Sequence, residues 1–392
     1  MPIPLYNLKI AFTYDRRADW PELSEDQIGE FVSDSTVDGI ANALAHFGTV
    51  DRVGRLKAIA KRLVQGDADW DIVFNCCEGF GSFGREAQVP ALLEAWGINY
   101  TCSDPVAQAI CLDKGKTKMI LEHYGIPVAP FAVIPPRSTS TSISGAPATK
   151  AINNSRHREA LQAFPLFVKP SGEGSGIGVT NSSKVKCQAE LDTVVRELMD
   201  QFPSDSILIE RFLSGREFTV GIVGTGEAAR VIGILELVWV QSSLETSMGQ
   251  ETPRSSETQD EKYTGIDFFT YDLKHEWLEA GIPLPRTVQF VKLDMKDETG
   301  QKVVDVALRA WRALGGRDAC RIDVRQDVVG SSAVPNVIEI NPLPGLVPKW
   351  SLLPMLAEMD GILYIDLIGQ ILKSAMDRYP TLTHPTQVAL LD

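Results

Sequence analysis

The sequence predicts an α/β and α+β chain of three units: an open parallel sheet with flanking helices, then two α+β lobes. Two patterns predict it. Short apolar runs at Leu8–Tyr14 and 70–75 end in polar residues, as buried strands do, and residues 37–47 between them carry apolar side chains at helical spacing. Beyond residue 112, strand-like runs gather first around a glycine-rich turn and then around two acid-bearing segments, which is a different alternation. The expected division is 1–112, 113–223 and 224–392.

Taken in order, residues 87–96 continue the helical pattern of the first unit, and Gly97 supplies a stop before the short run 98–101. In the second unit, residues 116–124 read as a helix closed by Gly125, followed by an extended stretch holding Pro127 and Pro130. Residues 136–155 are rich in Ser and Thr and weakly patterned, so a mobile surface insertion is expected. Runs at 166–169 and 177–180 read as strands flanking a glycine-rich turn; a helix at 189–201 and strands at 207–210 and Glu217–Val223 follow. The third unit opens with a long β pattern at 230–240. Residues 241–262 then stay polar without period, a length of loop that suits a lid over an active site. A helix at 302–314, strands at 321–325 and 336–341, and a helix at 362–375 complete the chain.

Composition narrows the function classes. The 392 residues are 44% hydrophobic and 23% charged, enough for a sizeable core. A net charge of −13 repels phosphate backbones and anionic lipid, so a nucleic-acid-binding face is not expected. No apolar run approaches the roughly 18 residues that span a bilayer. The six cysteines form no C-x-x-C pair and the five histidines no zinc-ligand spacing, which suits reduced thiols and a cytoplasmic protein.

Two nucleotide motifs are decoys. Gly79-Phe80-Gly81-Ser82-Phe83-Gly84 has the G-x-G-x-x-G spacing, but a dinucleotide fold carries it after the first strand, and charged Glu78, Arg85 and Glu86 adjoin it here. Gly115-Lys116-Thr117 resembles the end of a P-loop, yet Ile110 stands where that motif needs glycine.

Four segments carry chemistry together. Lys169 precedes the loop Gly172-Glu173-Gly174-Ser175-Gly176-Ile177-Gly178, whose backbone N–H groups could close over phosphates. Ile207–Arg211 and the following Phe212 and Leu213 form an apolar segment carrying Glu210, with Glu217 beyond to accept from ribose hydroxyls. The strand period of two puts Arg321, Asp323 and Arg325 on one face, and Glu339 and Asn341 on another. Oxygen ligands of this kind suit Mg²⁺ bridging nucleotide phosphates. Against these readings stand a plain glycine hairpin, a solvated glutamate and a structural salt-bridge face.

With these residues in view, the chain resembles an ATP-grasp carboxylate–amine ligase of the D-alanine–D-alanine ligase family. The stretches FNCCEGFGSFGREAQVPALLEAWGINYTCSDP, ICLDKGKTK, FVKPSGEGSGIGV, LIERFLSGREFTVGI, CRIDVR and EINPLPGLVPKWSLLP carry the resemblance, spread over residues 70 to 372 in the family's order. It implies an ATP-grasp fold, with Lys114 and Lys169 on ATP phosphates, Glu210, Arg211, Phe212 and Leu213 along adenine, and Glu217 on ribose. It implies Asp323, Glu339 and Asn341 as ligands to two Mg²⁺ ions, Arg321 and the Gly345 N–H at a developing oxyanion, and Ser175 and Ser351 near substrate carboxylates. Lys262 and Tyr263 resemble a lid element. Small-molecule amino-acid substrates are implied, and a homodimer is the assembly it leaves room for.

The chain departs from the family at the substrate side. The glycine-paired first loop, whose glutamate receives the donor's amine, is replaced by Phe12-Thr13-Tyr14-Asp15-Arg16-Arg17, and the usual His-Gly of the second loop is Glu78-Gly79. Asp15 and Glu78 are therefore the candidate substrate acids, while Arg16 and Arg17 suggest a donor with extra negative charge or no free α-amine. Three functions follow in order: ligation of an amino acid or derivative, D-alanyl-D-alanine synthesis proper, and a nucleotide-binding regulator without turnover.

Overall fold

The computed structural model describes residues 7–24, 28–137, 146–239, 267–273 and 288–379. The lid expected at 241–262, with Lys262 and Tyr263, lies outside them, as does 138–145 of the expected insertion.

The first unit is a parallel sheet. β1 (Leu8–Tyr14) lies between β2 (Gly48–Arg52) and β3 (Ile72–Cys76), both parallel to it, as the strand–helix alternation predicts. Helix α1 (Asp34–Leu44) starts where Ser33 Oγ accepts from the Thr36 N–H at 3.3 Å. α2 (Leu56–Val64) buries Ile59 and Leu63, one turn apart, and α3 (Gln88–Ala95) follows the second loop. The run 98–101 makes a single parallel bridge, Val73 to Tyr100, rather than a strand.

α4 (Pro105–Leu112) and α5 (Lys114–His123) lead into the second unit. Asp104 caps α4 with Pro105 in its first turn, and Asp113 caps α5 through the Lys116 N–H at 3.0 Å. The P-loop-like Gly115-Lys116-Thr117 is thus an ordinary first helical turn. The second sheet has the order β4 (Phe131–Ile134), β7 (Ile207–Arg211), β5 (Leu166–Pro170), β6 (Lys184–Val185), backed by α6 (Pro147–Asn154) and α7 (Gln188–Gln201).

Two expectations fail here. Residues 147–154 of the Ser/Thr-rich stretch are α6, whose Ala148 and Ile152 are buried one turn apart in the lobe's core. Residues 177–180 are not a strand: Gly176 and Gly178 take positive φ, and Ile177 and Val179 donate back to Gly174 and Gly176 in successive turns.

The third sheet orders β10 (Val288–Lys292), β9 (Arg230–Trp239), β8 (Glu217–Val223), β11 (Ala319–Gln326) and β12 (Pro335–Asn341), all antiparallel. β8 pairs within this sheet, whereas β7 pairs within the second. Apolar residues that alternate along β8 and β11 pack on α8 (Glu298–Ala313), where Trp311 is fully buried. α9 (Leu352–Met359) and α10 (Tyr364–Arg378) bury Leu353, Leu367 and Ile371 in one core with Phe12, Ile40 and Phe74. The parallel sheet is therefore packed against the end of the chain. No helix among the described residues is long and apolar enough to cross a membrane.

Candidate active site

β11 and β12 bring four predicted residues together. Their register sets Asp323 opposite Glu339 and Arg321 opposite Asn341. Like charges facing across a ladder repel, and here each acid has its own cation. Lys114 Nζ lies 3.0 Å from Glu339 Oε1, and Arg321 lies 3.2 Å from Asp323 Oδ2. Thr219, opposite Asp323 on β8, donates to its Oδ1 at 2.5 Å. Asn341 Nδ2 reaches the Arg321 carbonyl at 3.4 Å.

Two cavities meet at this face, sharing Lys114, Arg321, Glu339 and Leu352. The first is apolar and aromatic, with Phe167, Phe212 and Phe268 packed ring to ring, and it holds Lys169, Glu210, Arg211, Leu213, Glu217 and Asp323 at its wall. Lys184 and Arg325 lie over the Phe212 ring, 3.8 and 4.8 Å from its centre. Glu217 accepts from Arg325 at 2.9 Å; burial raises its carboxyl while Arg325 pulls the other way.

Glu210 bridges Lys169 at 2.8 Å and Lys118 at 2.9 Å. Burial alone would raise its carboxyl, but the two ammonium groups outweigh it and hold it at about 2. The side chain is therefore a strut for Lys169 in the cavity wall. Lys118, only 1% exposed, went unnoticed in the sequence although it lies in the same ICLDKGKTK run as Lys114. Burial depresses its ammonium.

The glycine-rich loop roofs the junction. Lys114 donates to the Glu173 carbonyl at 2.5 Å and Arg85 to that of Gly172 at 3.1 Å. A Cβ on Gly174 would stand 1.9 Å from Glu30 Oε1, so a larger residue here would push the Glu30 carboxylate aside. Arg85 in turn pairs with Glu30 at 3.0 Å. Arg85 and Glu30 are residues that sequence reasoning missed; the adjoining charges Glu78, Arg85 and Glu86, used to dismiss the dinucleotide motif, were the available signal.

The second cavity is the more polar of the two. Ser175, Asn341, Gly345, Ser351, Glu78, Glu86, Glu30 and Arg17 border it. Ser351 Oγ accepts from the Val347 N–H at 3.0 Å and would meet a Cβ on Gly345 at 2.8 Å, which fixes the Pro-rich turn before α9. Glu78 and Glu86 both have raised carboxyl pKa values, Glu86 pushed up to about 8 by burial and then by Glu30.

The first loop corrects two expectations. Asp15 does not border the cavity; its carboxylate accepts from the Gly79 N–H at 2.9 Å and ties the first loop to the second. Arg16 is taken up by Asp19 and Asp34, at 2.6 and 3.0 Å, on the outside. Arg17 does face the cavity, with its Nε donating to the Phe31 carbonyl at 2.9 Å.

A glycine loop and a strand pair of acids clasped between two antiparallel sheets, with a parallel domain ahead of them, define the ATP-grasp ligases. The model for the C-terminal part of D-alanine–D-alanine ligases matches residues 120–373. A curated D-alanine–D-alanine ligase of Desulforudis audaxviator is 30% identical over 298 residues, covering 76% of this chain and 79% of its own. That of Bordetella petrii is 27% identical over 308 residues, covering 79% and 77%. The crystal structure of the Bacillus anthracis D-alanine–D-alanine ligase complexed with ATP superposes with a TM-score of 0.64 at 18% identity, over 95% of this chain and 98% of that one. This chain belongs to the D-alanine–D-alanine ligase family, and it is an enzyme of the ATP-grasp ligase class.

Proposed function

We propose that the enzyme joins the carboxylate of one amino acid, or a derivative, to the amine of a second, with ATP converted to ADP and phosphate. The observation that carries this reading is the junction itself: acids and cations on β11 and β12 shared by an aromatic cavity fit for a nucleotide and a polar cavity fit for amino acids.

In the first cavity adenine packs along Phe212 and Leu213 with Arg211 and Glu210 at the segment's edge, Glu217 takes the ribose, and Lys169 and Lys114 face the phosphates. The donor set fits a divalent cation: Asp323, Glu339 and Asn341 offer oxygens from facing strands. Among the described residues no three His, Cys, Asp or Glu side chains cluster as ligands, and nucleotide phosphates would supply the further oxygens that such a cation takes. Asp323, Glu339 and Asn341 would hold Mg²⁺, two ions by the family's pattern, which neutralises phosphate charge when bound.

The donor carboxylate attacks the γ-phosphate to give an acyl phosphate and ADP. The acceptor amine then attacks the acyl carbon, a C–N bond forms, the C–O bond to phosphate breaks and phosphate leaves. Arg321 and the Gly345 N–H stabilise the oxyanion of that second step. Ser175, on the loop that roofs the junction, and Ser351, on the turn below it, hold substrate carboxylates. The loop excludes water, to which an acyl phosphate is vulnerable. A nucleotide substrate and six free cysteines suit the cytoplasm.

The test is ADP release with Mg²⁺-ATP and a panel of D- and L-amino acids. Release that depends on amino acids, with a dipeptide as product, is expected; ATP turnover indifferent to every amino acid would refute the reading.

A further inference from the structure

Among the described residues four carboxylates face the second cavity, and their partners separate them. Glu339 is paired with Lys114 and Glu30 with Arg85. Glu78 and Glu86 make no hydrogen bond or ion pair with any described residue, although both border the cavity. Glu86 is only 7% exposed, on a short turn of helix at Arg85–Ala87, so what remains open is its face toward the cavity. A carboxylate buried this far without a partner is costly unless a ligand supplies one.

The charges a pair of amino acids brings can be set against this. The donor carries one α-ammonium. The acceptor amine attacks as a neutral base and neutralises nothing. The donor carboxylate goes to the phosphate junction. One ammonium against two open carboxylates leaves one acid over, and Asp15, facing Gly79, relieves neither.

We propose that Glu78 and Glu86 form a two-carboxylate subsite that selects a diamino acid donor, one acid receiving its α-ammonium and the other a second amine on its side chain. This deepens the ligase reading and rests on it. It also reverses the expectation from Arg16 and Arg17 of a donor with extra negative charge, because Arg16 is spent on Asp19 and Asp34. Burial, and then the neighbouring Glu30, already favours protonation of the two acids, a tension that two ammonium groups relieve.

The experiment compares D- and L-forms of ornithine, lysine, 2,4-diaminobutyrate and alanine, and Nδ-acetylornithine, in ADP release and product mass with the whole enzyme. At least one diamino acid should exceed alanine in kcat/KM by about tenfold or more, and acetylation of the side-chain amine should remove the advantage. Glu86→Gln and Glu78→Gln should each shrink the ratio of diamino acid to alanine toward one, through KM for the diamino acid, with KM for ATP unmoved. Glu86→Asp should restore part of it. Alanine serving as well as or better than every diamino acid would overturn the proposal. No ADP release with any amino acid would instead refute the ligase reading, and the unsubstituted enzyme alone distinguishes the two failures.

Discussion

The side chains at the junction differ in what their charge does for stability, and pH separates them. Glu210, held at about 2 by Lys118 and Lys169, contributes stability that is fully present above the ordinary 4.5 and is lost as pH falls through about 2. Glu210→Gln leaves two buried ammonium groups facing each other, with a loss of about 3–5 kcal/mol expected in urea unfolding at pH 7. Glu86 has the opposite sign. Its carboxyl binds a proton more readily folded than unfolded, so stability falls as pH rises from 4.5 to about 8. The melting temperature of Glu86→Gln should therefore decline less between pH 5 and 8 than that of the unsubstituted protein; parallel curves would show Glu86 to be solvated. Glu339→Gln and Asp323→Asn should each lower amino-acid-dependent ADP release by about a hundredfold or more while unfolding as cooperatively as before. Near-normal release from either would remove it from the metal set.

At the scale of elements, periodicity was legible where one face alone is buried and misleading where glycine intervenes. β1, β3 and α1 follow from apolar runs and helical spacing, whereas β2, a half-exposed GTVDR strand with no apolar run, and α2, with Ile59 and Leu63, escaped notice. Residues 177–180 have strand-like composition, yet Gly176 and Gly178 let the chain coil into turns. α6 hid in a Ser/Thr-rich stretch because its apolar signal is just Ala148 and Ile152. The glycine-rich loop depends on an anchor that no local pattern reveals, since Arg85 lies 87 positions from Gly172. Arg85→Ala should speed amide hydrogen exchange across 172–178 and raise KM for ATP about tenfold, with a smaller change in kcat. Unchanged exchange would mean that the loop holds itself.

For the whole molecule, the parallel domain and the end of the chain are joined by a buried bracket. Asp318, fully buried, accepts from the Cys102 N–H at 2.9 Å, Ser374 at 2.8 Å and Thr225 at 3.1 Å, and pairs with Arg378 on α10. Asp318→Ala should cost about 3–5 kcal/mol and lower the melting temperature of the protein as one unit. The ATP side of the site was legible because strand period alone aligns Asp323 with Arg321 and Glu339 with Asn341. At the second cavity Glu78 and Arg17 were legible as candidates, whereas Glu30 was missed and Asp15 was misplaced, because packing alone sets the directions of the loops that carry them. The most direct test of the account follows oxygen. With the donor amino acid labelled by ¹⁸O in its carboxylate, attack on the γ-phosphate must carry one label into the released phosphate as the amide forms. Labelled phosphate in step with dipeptide is the result the account predicts; unlabelled phosphate, or release of AMP and pyrophosphate, would contradict it.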